Sequence, residues 1–335
     1  ADGSVEFLNQ RWFDYTGMRP EDALGTGWTS RVHPTDAGPL AAYWHGLLQA
    51  GQAGRFEARL RGADGRYRWF LIRAVPLLDS AGGILRWYGQ NTDIEDRKQA
   101  ELLLASERQL LGLMASGSAL AHILAALCNL VATTVEAAAC SVALVDLRTR
   151  ASEGDIVRFL RAPVGTVSAP AFALELLDGR SLDVDAAPSA CCVLRGEPVL
   201  CGDLRNETRW PAWSAAARAA GITAHWTMPM AAPAGEVVAV IAVLFVQPRL
   251  PDASHVAFLA QLTHLASIAI ERTRSENALR QSEAFAAKAQ RLSQTGAFSW
   301  RVDSGEMVWS DEVHRILEFD ATVSPDPAFL RSPVH

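Results

Sequence analysis

Three cysteines and one histidine carry the most reactive side chains of this sequence. Cys191 and Cys192 are adjacent, and Cys201 and His225 follow them along the chain. Thiols can form a disulfide, react with an oxidant as thiolates, or join an imidazole as soft ligands of a metal ion. The spacing matches no zinc pattern, and five cysteines without a C-x-x-C pair indicate a reducing compartment. The competing interpretation is that these small residues fill a core beside strands.

Signatures of other enzyme classes are absent from the sequence. There is no G-x-G-x-x-G that opens a helix after a strand, no G-x-x-x-x-G-K-[ST], no H-E-x-x-H and no G-x-S-x-G. A phosphoacceptor histidine on a His-Glu helix, Gly-rich ATP-binding boxes and a Gly-Gly-acidic cyclase signature are absent too. We therefore predict no catalytic residue and no metal site in this segment, and no turnover of ATP or GTP. The residues specify no cofactor.

Composition and charge restrict the class of protein and its partners. The 335 residues are 49% hydrophobic and 20% charged, which is typical of two or three soluble globular domains. The net charge of -6, without a run of Lys or Arg, argues against a nucleic-acid partner. Residues 110–135 contain no charged side chain and are long enough to span a bilayer, but they include polar residues and lack aromatic ends. We predict no membrane span here and a cytoplasmic location.

The elements that position these residues can be predicted from hydrophobic periodicity. Alternating residues and two turns, at 63–66 and 79–83, predict three antiparallel strands within 55–93. A helix is predicted from residue 34 to about residue 49. His33, just before it, is interpreted as a helix cap, with a haem ligand as the alternative.

Two linker helices are also predicted. The first begins with the charged residues 94–101 and continues into an apolar heptad that a parallel helix pair could bury, although it can break at the Ser-Gly pair at 116–117. The heptad stripe comprises Leu103, Leu110, Leu113, Leu120, Leu124, Leu127 and Val131. The second linker helix runs over 254–291, after strands at 141–146 and 237–245.

The end of the sequence repeats its beginning. Residues 306–312 resemble residues 5–11 with an offset of about 301 residues. The last two residues, Val334 and His335, echo the Val-His pair at 32–33. We expect the sequence to end within a second copy of its first domain and, because residue 1 is Ala, to begin inside a longer protein.

Three sets of motifs resemble two known families. The first set resembles a PAS domain: N-Q-R-W at 9–12, Y-T-G at 15–17, V-H-P-T-D at 32–36, D-G-R-Y-R-W at 64–69 and N-T-D-I-E-D-R-K at 91–98. The second set resembles a bacterial GAF domain: R-G-E-P-V at 195–199, W-T-M-P-M at 226–230 and A-S-I-A-I-E-R at 266–272. The third set resembles the opening half of another PAS domain: Q-R-L-S-Q-T-G at 290–296 and M-V-W-S-D-E at 307–312.

The order PAS, GAF, PAS resembles the sensory part of a bacterial sensor histidine kinase or a related signalling protein. The resemblance implies an α+β fold in which PAS-like and GAF-like antiparallel sheets, flanked by helices, are joined by long linker helices. It places a PAS domain at 1–93, with its N-terminal strand missing, and a GAF domain at 117–272. Linker helices fill 94–116 and 273–291, and the truncated first half of a second PAS domain fills 292–335.

The resemblance implies a sensory and signal-relay module of a two-component system. A small ligand or a partner would bias the linker helices of a homodimer, and these would transmit the change to an output domain outside this chain, a histidine kinase in the same full-length protein. The ligand-pocket candidates are Cys191, Cys192, Trp210, Trp213, His225 and Trp226. The signal-relay residues are Asp93, Ile94, Leu103, Leu110 and Leu113. The alternative is that the six pocket candidates only pack a helix against a sheet.

A thiol enzyme or redox sensor is the alternative function. Some GAF proteins resemble this one and reduce free methionine sulfoxide, which would make Cys191, Cys192 and Cys201 the reactive residues. The cysteine positions of those proteins fall at Ser189 and near His225, so the sequence departs from that pattern. Light sensing is disfavoured, because the first domain has no cysteine for a flavin and the three cysteines lack the Cys-Ser…His surroundings of a bilin.

Overall fold

The computed structural model describes residues 4–149, 156–160, 164–167, 182–301, 303–304 and 306–320. The chain divides into two compact units, Ala1–Arg108 and Gln109–His335. Within the described ranges, neighbouring strands pair in antiparallel fashion and helices pack on the sheets. This arrangement confirms the α+β class with antiparallel sheets that the sequence predicts.

The first unit consists of a three-stranded antiparallel sheet with helices before and after it. The helices are α1 (Gln10–Thr16), α2 (Pro20–Ala23), α3 (Pro34–Ala50) and the first part of α4 (Glu95–Ala115), which continues into the second unit after Arg108, and the strands are β1 (Gly54–Arg61), β2 (Tyr67–Leu78) and β3 (Ile84–Asp93). The strand order is β1-β2-β3. These strands and α3 lie where the turn and periodicity signals predict them.

Capping interactions fix the helices of this unit. The Asn9 side chain accepts the Trp12 amide at the start of α1, and Gly17 ends that helix in the left-handed region, at a φ of 65°. At the start of α3, the His33 Nδ1 atom accepts the Thr35 amide at 3.3 Å. The predicted capping role of His33 is therefore confirmed.

A small apolar core holds α1, α2 and α3 on the sheet. Its buried members are Trp12, Ala23, Val32, Leu40, Ala58 and Leu60. The Tyr15 hydroxyl donates to the Leu60 carbonyl at 2.9 Å. The Asp36 carboxylate accepts the Arg59 guanidinium at 2.7 Å. The apolar contacts and these two polar contacts together join α1 and α3 to β1.

The second unit is built on a six-stranded antiparallel sheet. Its helices are α5 (Leu120–Thr134), α6 (Pro188–Arg195), α7 (Pro211–Ala219), α8 (Ala253–Ser293) and α9 (Asp311–Ile316), and its strands are β4 (Ala139–Thr149), β5 (Ile156–Leu160), β6 (Val164–Val167), β7 (Val199–Cys201), β8 (Ala224–Ala231), β9 (Val237–Phe245), β10 (Phe298–Trp300) and β11 (Met307–Trp309). The strand order is β5-β4-β9-β8-β7, with β6 also paired to β4, and β10 pairs separately with β11.

The two faces of the six-stranded sheet carry different helices. On one face, α5 packs on β4 and α8 packs on β8 and β9. On the other face, α6 packs on β7, β8 and β9. Residues of α6 and α7 share a buried cluster with Val240 and Leu244 of β9. The unbroken apolar run at 237–245 forms β9 between β4 and β8, as a strand buried on both faces predicts.

The predicted first linker is divided into two helices. α4 ends at Ala115 and α5 begins at Leu120, and Gly117 lies between them at a φ of 70°. Three members of the heptad stripe on α5 are completely buried, namely Leu124, Leu127 and Val131. The second half of the stripe is therefore core packing within one chain, and the uncharged segment 110–135 is not one continuous helix.

One helix of the described residues, α8, reaches the length and hydropathy needed to cross a membrane. Of its most apolar window, 44% is buried inside the protein. A core helix passes the same test, so this feature is weak evidence for a membrane span.

The predicted second copy of the first domain at 292–335 stays a prediction. Strand β11 leads to Ser310, the residue before α9, in the way that Asn9 precedes α1. The predicted echo of residues 32–33 at Val334 and His335 lies outside the described residues.

Candidate functional site

The candidate site lies on the face of the sheet that carries α6 and α7. Alternation along β8 places His225 and Thr227 on this face and Trp226 on the other. Cys201 of β7 is the register partner of His225, so their side chains share the same face. The strand thus presents an imidazole and a hydroxyl to the two helices.

His225 is completely buried between aromatic rings. Its ring lies edge to face with Trp213 at 4.9 Å and with Trp210 at 6.1 Å between centroids. Its Nδ1 atom is 3.5 Å from the Thr227 hydroxyl oxygen, and within the described part of the chain its Nε2 atom has no hydrogen-bond partner. Burial lowers the pKa of His225 to about 4, so the imidazole is neutral at neutral pH.

Helix α7 supplies the aromatic part of the site. Trp213, Ser214 and Ala217 form its buried face, and Trp210 precedes its first residue. The Trp210 indole donates to the Val184 carbonyl at 2.8 Å. Ser214 is 1% exposed, and its hydroxyl has no partner among the residues that the structure describes. Helix packing therefore places a polar group without a partner beside the indoles.

An ion pair lies next to these rings. The Arg209 guanidinium stacks over the Trp210 ring at 4.4 Å and pairs with the Glu207 carboxylate at 3.1 Å. The two charges affect the His225 pKa in opposite directions, Glu207 raising it and Arg209 lowering it. The pair is neutral as a whole, so it adds no net charge to the site.

The three cysteines are buried in the same cluster as the indoles. Cys191 and Cys192 lie on α6 and Cys201 on β7, and each is at most 7% exposed. Desolvation, with a smaller effect of Cys191, raises the pKa of Cys192 to about 12, and burial also raises the pKa of Cys201. Both thiols therefore stay protonated at neutral pH, which makes them poor nucleophiles. Among the described residues, no group of three or more His, Cys, Asp or Glu could hold a metal ion.

The structure thus brings five of the six predicted pocket residues together, and Trp226 is the exception. Its ring contacts Phe245 at 4.3 Å and His255 at 5.5 Å, and its indole donates to the Arg249 carbonyl at 3.0 Å. His255 belongs to the capping box that starts α8. Trp226 therefore anchors the first turn of α8 on the opposite face. Thr227, which the sequence analysis did not select, lies on the same face of the sheet as His225, and Ser214, also not selected, lies on the buried face of α7.

An open cavity of about 530 Å³ lies at the edge of the sheet beside β7. It is lined by Leu200, Cys201, Gly202, Asp203, Asn206, Glu207, Pro248, Arg249 and Leu250. Cys201 and Glu207 belong both to this lining and to the surroundings of His225. The volume is within the usual range for small-molecule sites.

Two of the predicted relay residues form the junction between β3 and α4. The Asp93 carboxylate accepts both the Arg68 guanidinium and the Glu95 amide at 2.9 Å. Ile94 is 8% exposed, and its amide donates to the Trp69 carbonyl at 2.9 Å. Glu95 in turn accepts the Trp69 amide at 2.8 Å. The first residues of α4 are therefore bonded to strand β2 at several points.

A second contact, not predicted from the sequence, holds the next turn of α4. Glu57 of β1 pairs with both Arg97 and Lys98 at 2.5 Å, and these two cations lower the pKa of Glu57, Lys98 having the larger effect. The Lys98 ammonium and the Arg59 guanidinium lie over the Trp69 ring at 5.0 and 5.1 Å. The carboxylate and the indole together fix the direction in which α4 leaves the sheet.

Two arginines of α8 make a corresponding junction in the second unit. Arg272 donates to the Met114 carbonyl, in the last turn of α4, at 3.3 Å. Arg274 donates to the carbonyls of Val145 in β4 at 2.5 Å and Val238 in β9 at 3.3 Å. Helix α8 is therefore hydrogen-bonded to the last turn of α4 and to the six-stranded sheet.

Two family models match the chain. The model described as PAS fold matches residues 5–91, and the model described as GAF domain matches residues 117–271. The chain contains a PAS domain followed by a GAF domain. The His225 site therefore lies in the GAF domain, and the Glu57 contact lies where the PAS domain joins its linker.

Three curated proteins are similar to parts of this PAS–GAF chain. The uncharacterized protein y4lL of Sinorhizobium fredii is 42% identical over 106 residues, which is 31% of this chain and 13% of that protein. The methyl sulfide methyltransferase-associated sensor of Methanosarcina acetivorans is 25% identical over 285 residues, 83% of this chain and 27% of that protein. The peroxide stress-activated histidine kinase mak1 of Schizosaccharomyces pombe is 34% identical over 99 residues, 30% of this chain and 6% of that protein. The chain spans 27% or less of the length of each of these relatives.

The remaining relay residues lie on α4, between the regions that match the PAS and GAF models. Leu110 is 1% exposed in a single chain, and Leu103 and Leu113 are half-buried. Leu102 and Leu111, on other sides of the helix, are exposed. The stripe chosen from the heptad is therefore the more buried side of α4, and its role in a dimer stays a prediction.

Proposed function

We propose that this PAS–GAF chain is a sensory and relay module in which the GAF domain binds a small ligand around His225 and Trp213. The linker helices α4 and α8 would transmit the occupancy of that site to an output domain outside this chain, a histidine kinase. The kinase output and the sensory role are supported by the names of two relatives, a sensor and a histidine kinase. The module itself would be non-catalytic, cytoplasmic and a homodimer.

The observation that carries this proposal is the pair of hydrogen bonds from Arg274. Val145, whose carbonyl accepts one of them, belongs to the same buried cluster as Trp210 and Trp213. A ligand that displaces this cluster would move β4, and β4 is bonded to the helix that leaves the GAF domain. Packed cores respond to such displacements by discrete rearrangement, so the bond would couple the ligand site to α8.

The PAS domain would act on the other linker in the same way. Glu57 and Trp69 lie on its sheet, and Lys98 of α4 contacts both side chains. A change in the sheet would alter the direction of α4. The PAS domain would then change the position of α4, and the GAF domain would change the position of α8.

Native mass spectrometry of the purified chain tests the sensory part of the proposal. We expect a retained small molecule whose mass disappears on mild heating, and a much smaller retained fraction in the Trp213→Ala variant. A Tyr88→Ala variant, which changes an exposed aromatic residue of the PAS sheet, serves as control and should retain the molecule. A measured mass equal to that of the polypeptide alone, both before and after heating, would contradict ligand binding.

The thiol redox sensor or methionine-sulfoxide-reductase-like enzyme is less well supported. Cys191, Cys192 and Cys201 are buried, and burial favours the protonated form of the last two. Brief treatment with peroxide, followed by counting of free thiols, should leave all five cysteines reduced. Rapid loss of two of the three thiols would favour the redox function instead.

A further inference from the structure

Two buried polar atoms of the GAF site lack partners within the described ranges. They are His225 Nε2, on a residue that is 0% exposed, and Ser214 Oγ, on a residue that is 1% exposed. Most buried polar groups in folded proteins are hydrogen-bonded, because a buried donor or acceptor without a partner loses its hydration and gains nothing in return. Ser214 lies on the buried face of α7 directly after Trp213, whose ring contacts His225 of β8. These two atoms flank the same Trp213–His225 contact and are the polar groups there that a bound molecule could satisfy.

The described groups around the Trp213–His225 contact are uncharged. Trp210 and Trp213 provide ring surfaces, and Ser214 and Thr227 provide hydroxyls. Burial keeps the imidazole of His225 in its neutral form. A neutral imidazole has one N–H donor and one acceptor nitrogen, so it can bond to either kind of group on a ligand.

The nearest charges already neutralise each other. The electrostatic neighbours of His225 are Glu207 and Arg209, which form an ion pair with each other. Within the described part of the domain, an anionic ligand would lose its hydration without gaining an unpaired cation near His225, and the Glu207 carboxylate would repel it. A cationic ligand would have the Arg209 guanidinium nearby. The site therefore disfavours both charged classes.

We propose that the ligand of this GAF site is an uncharged small molecule with a flat apolar body and at least one hydrogen-bonding group, held by His225 Nε2 and Ser214 Oγ. This inference rests on the proposed sensory function and specifies its ligand class. The indoles contact the flat body, and the two side chains without partners recognise its polar group. Carboxylates, phosphates and amines are disfavoured because, among the described residues, the charges near His225 are Glu207 and Arg209, which pair with each other.

Three probes of the same shape separate the ligand classes. Benzamide is neutral, benzoate is an anion and benzylammonium is a cation at neutral pH. Isothermal titration calorimetry of the full chain should show saturable binding of benzamide, with benzoate and benzylammonium at least about tenfold weaker. Tightest binding of benzoate or benzylammonium would overturn the proposal, as would no binding of any probe at millimolar concentration.

Two variants test the recognition atoms. Ser214→Ala should weaken benzamide binding several-fold and His225→Phe by about tenfold, which are the effects of losing one hydrogen bond in a buried site. The matched control is Ser267→Ala, because Ser267 is also 1% exposed but its hydroxyl donates to the His264 carbonyl at 2.8 Å. Near-ultraviolet circular dichroism establishes that each variant is folded. Unchanged benzamide affinity in both site variants would overturn the assignment of these atoms.

The proposed function can stand when this inference fails. A retained molecule that carries a charge would support ligand sensing and overturn the uncharged class. A retained neutral molecule that survives in both site variants would support sensing and overturn the roles of His225 and Ser214. Absence of any retained molecule, together with no binding of the three probes, would contradict both.

Discussion

Replacement of Arg274 by alanine removes the bond between the outgoing helix and the sheet. The wild-type guanidinium donates to two backbone carbonyls, of Val145 and Val238, and pairs with Glu271 at 3.3 Å. A buried hydrogen bond with a charged donor contributes about 1.5–3 kcal/mol. The Arg274 side chain is 41% exposed, so solvent reduces this value and the exposed ion pair adds little. We expect the free energy of local opening of α8 from the sheet to fall by about 1–2 kcal/mol. This corresponds to an opening equilibrium constant about 5–30-fold larger.

Hydrogen exchange with mass spectrometry measures this loss directly. In Arg274→Ala, amides of α8 after residue 270 and of β4 around Val145 should exchange about 5–30-fold faster than in the wild-type chain. Amides of β1–β3 in the PAS domain should not change. Arg280→Ala is the matched control, because Arg280 is an exposed arginine on the same helix. In the full-length protein, control of the output by the stimulus should be lost in Arg274→Ala and kept in Arg280→Ala.

Two results would contradict the proposed role of Arg274 in coupling the GAF core to α8. Equal exchange in the two arginine variants would show that the bonds to Val145 and Val238 contribute nothing to the position of α8. Normal stimulus control in the full-length Arg274→Ala protein would show that the signal leaves the GAF domain by another route.

Three further predictions concern the linkers and the site. Glu57→Gln should speed hydrogen exchange in the first two turns of α4, because it weakens the contact with Arg97 and Lys98, and should leave β2 protected. Unchanged exchange in α4 would show that this contact does not hold the helix. The folded-state pKa of His225 is lowered from 6.5 to about 4. The contribution of the neutral imidazole to the free energy of unfolding is therefore fully present above pH 6.5 and falls as the pH drops towards 4. Urea unfolding should therefore show a loss of roughly 3 kcal/mol on acidification that is absent in His225→Phe. Light scattering should show that glutamine at both Leu103 and Leu113 shifts a dimer towards monomer, whereas Leu110→Gln also destabilises the single chain because Leu110 is buried.

The strands and capping residues could be predicted because their signals are local. The run at 237–245 has no polar interruption, and it forms β9 with the predicted bounds. The division between α4 and α5 follows from Gly117, whose positive φ costs a glycine little. In both places the residues themselves determine the backbone, so no distant contact is needed to predict it.

The site and its couplings depend on contacts that the sequence does not reveal. Trp226 lies on a strand buried on both faces, so alternation alone does not indicate which face holds the pocket. Arg274 and Val145 are 129 positions apart, and Arg272 and Met114 are 158 positions apart. A single sequence contains no pattern that pairs such residues. The same is true of Ser214, because only the folded structure shows that its hydroxyl is buried without a partner among the described residues.

The length of α8 gives the Arg274 bond a mechanical consequence. The helix continues from Arg274 to Ser293, about 28 Å at 1.5 Å per residue, and this stretch is exposed, with Leu279, Phe285 and Leu292 at 60%, 74% and 78%. A rigid rod of that length, pivoting at Arg274, acts as a lever. A tilt of about 3° at the pivot displaces the far end by about 1.5 Å, which is the size of helix shift that switching proteins use at their interfaces. A small displacement in the GAF core would therefore become large enough to change the packing of the residues that follow α8.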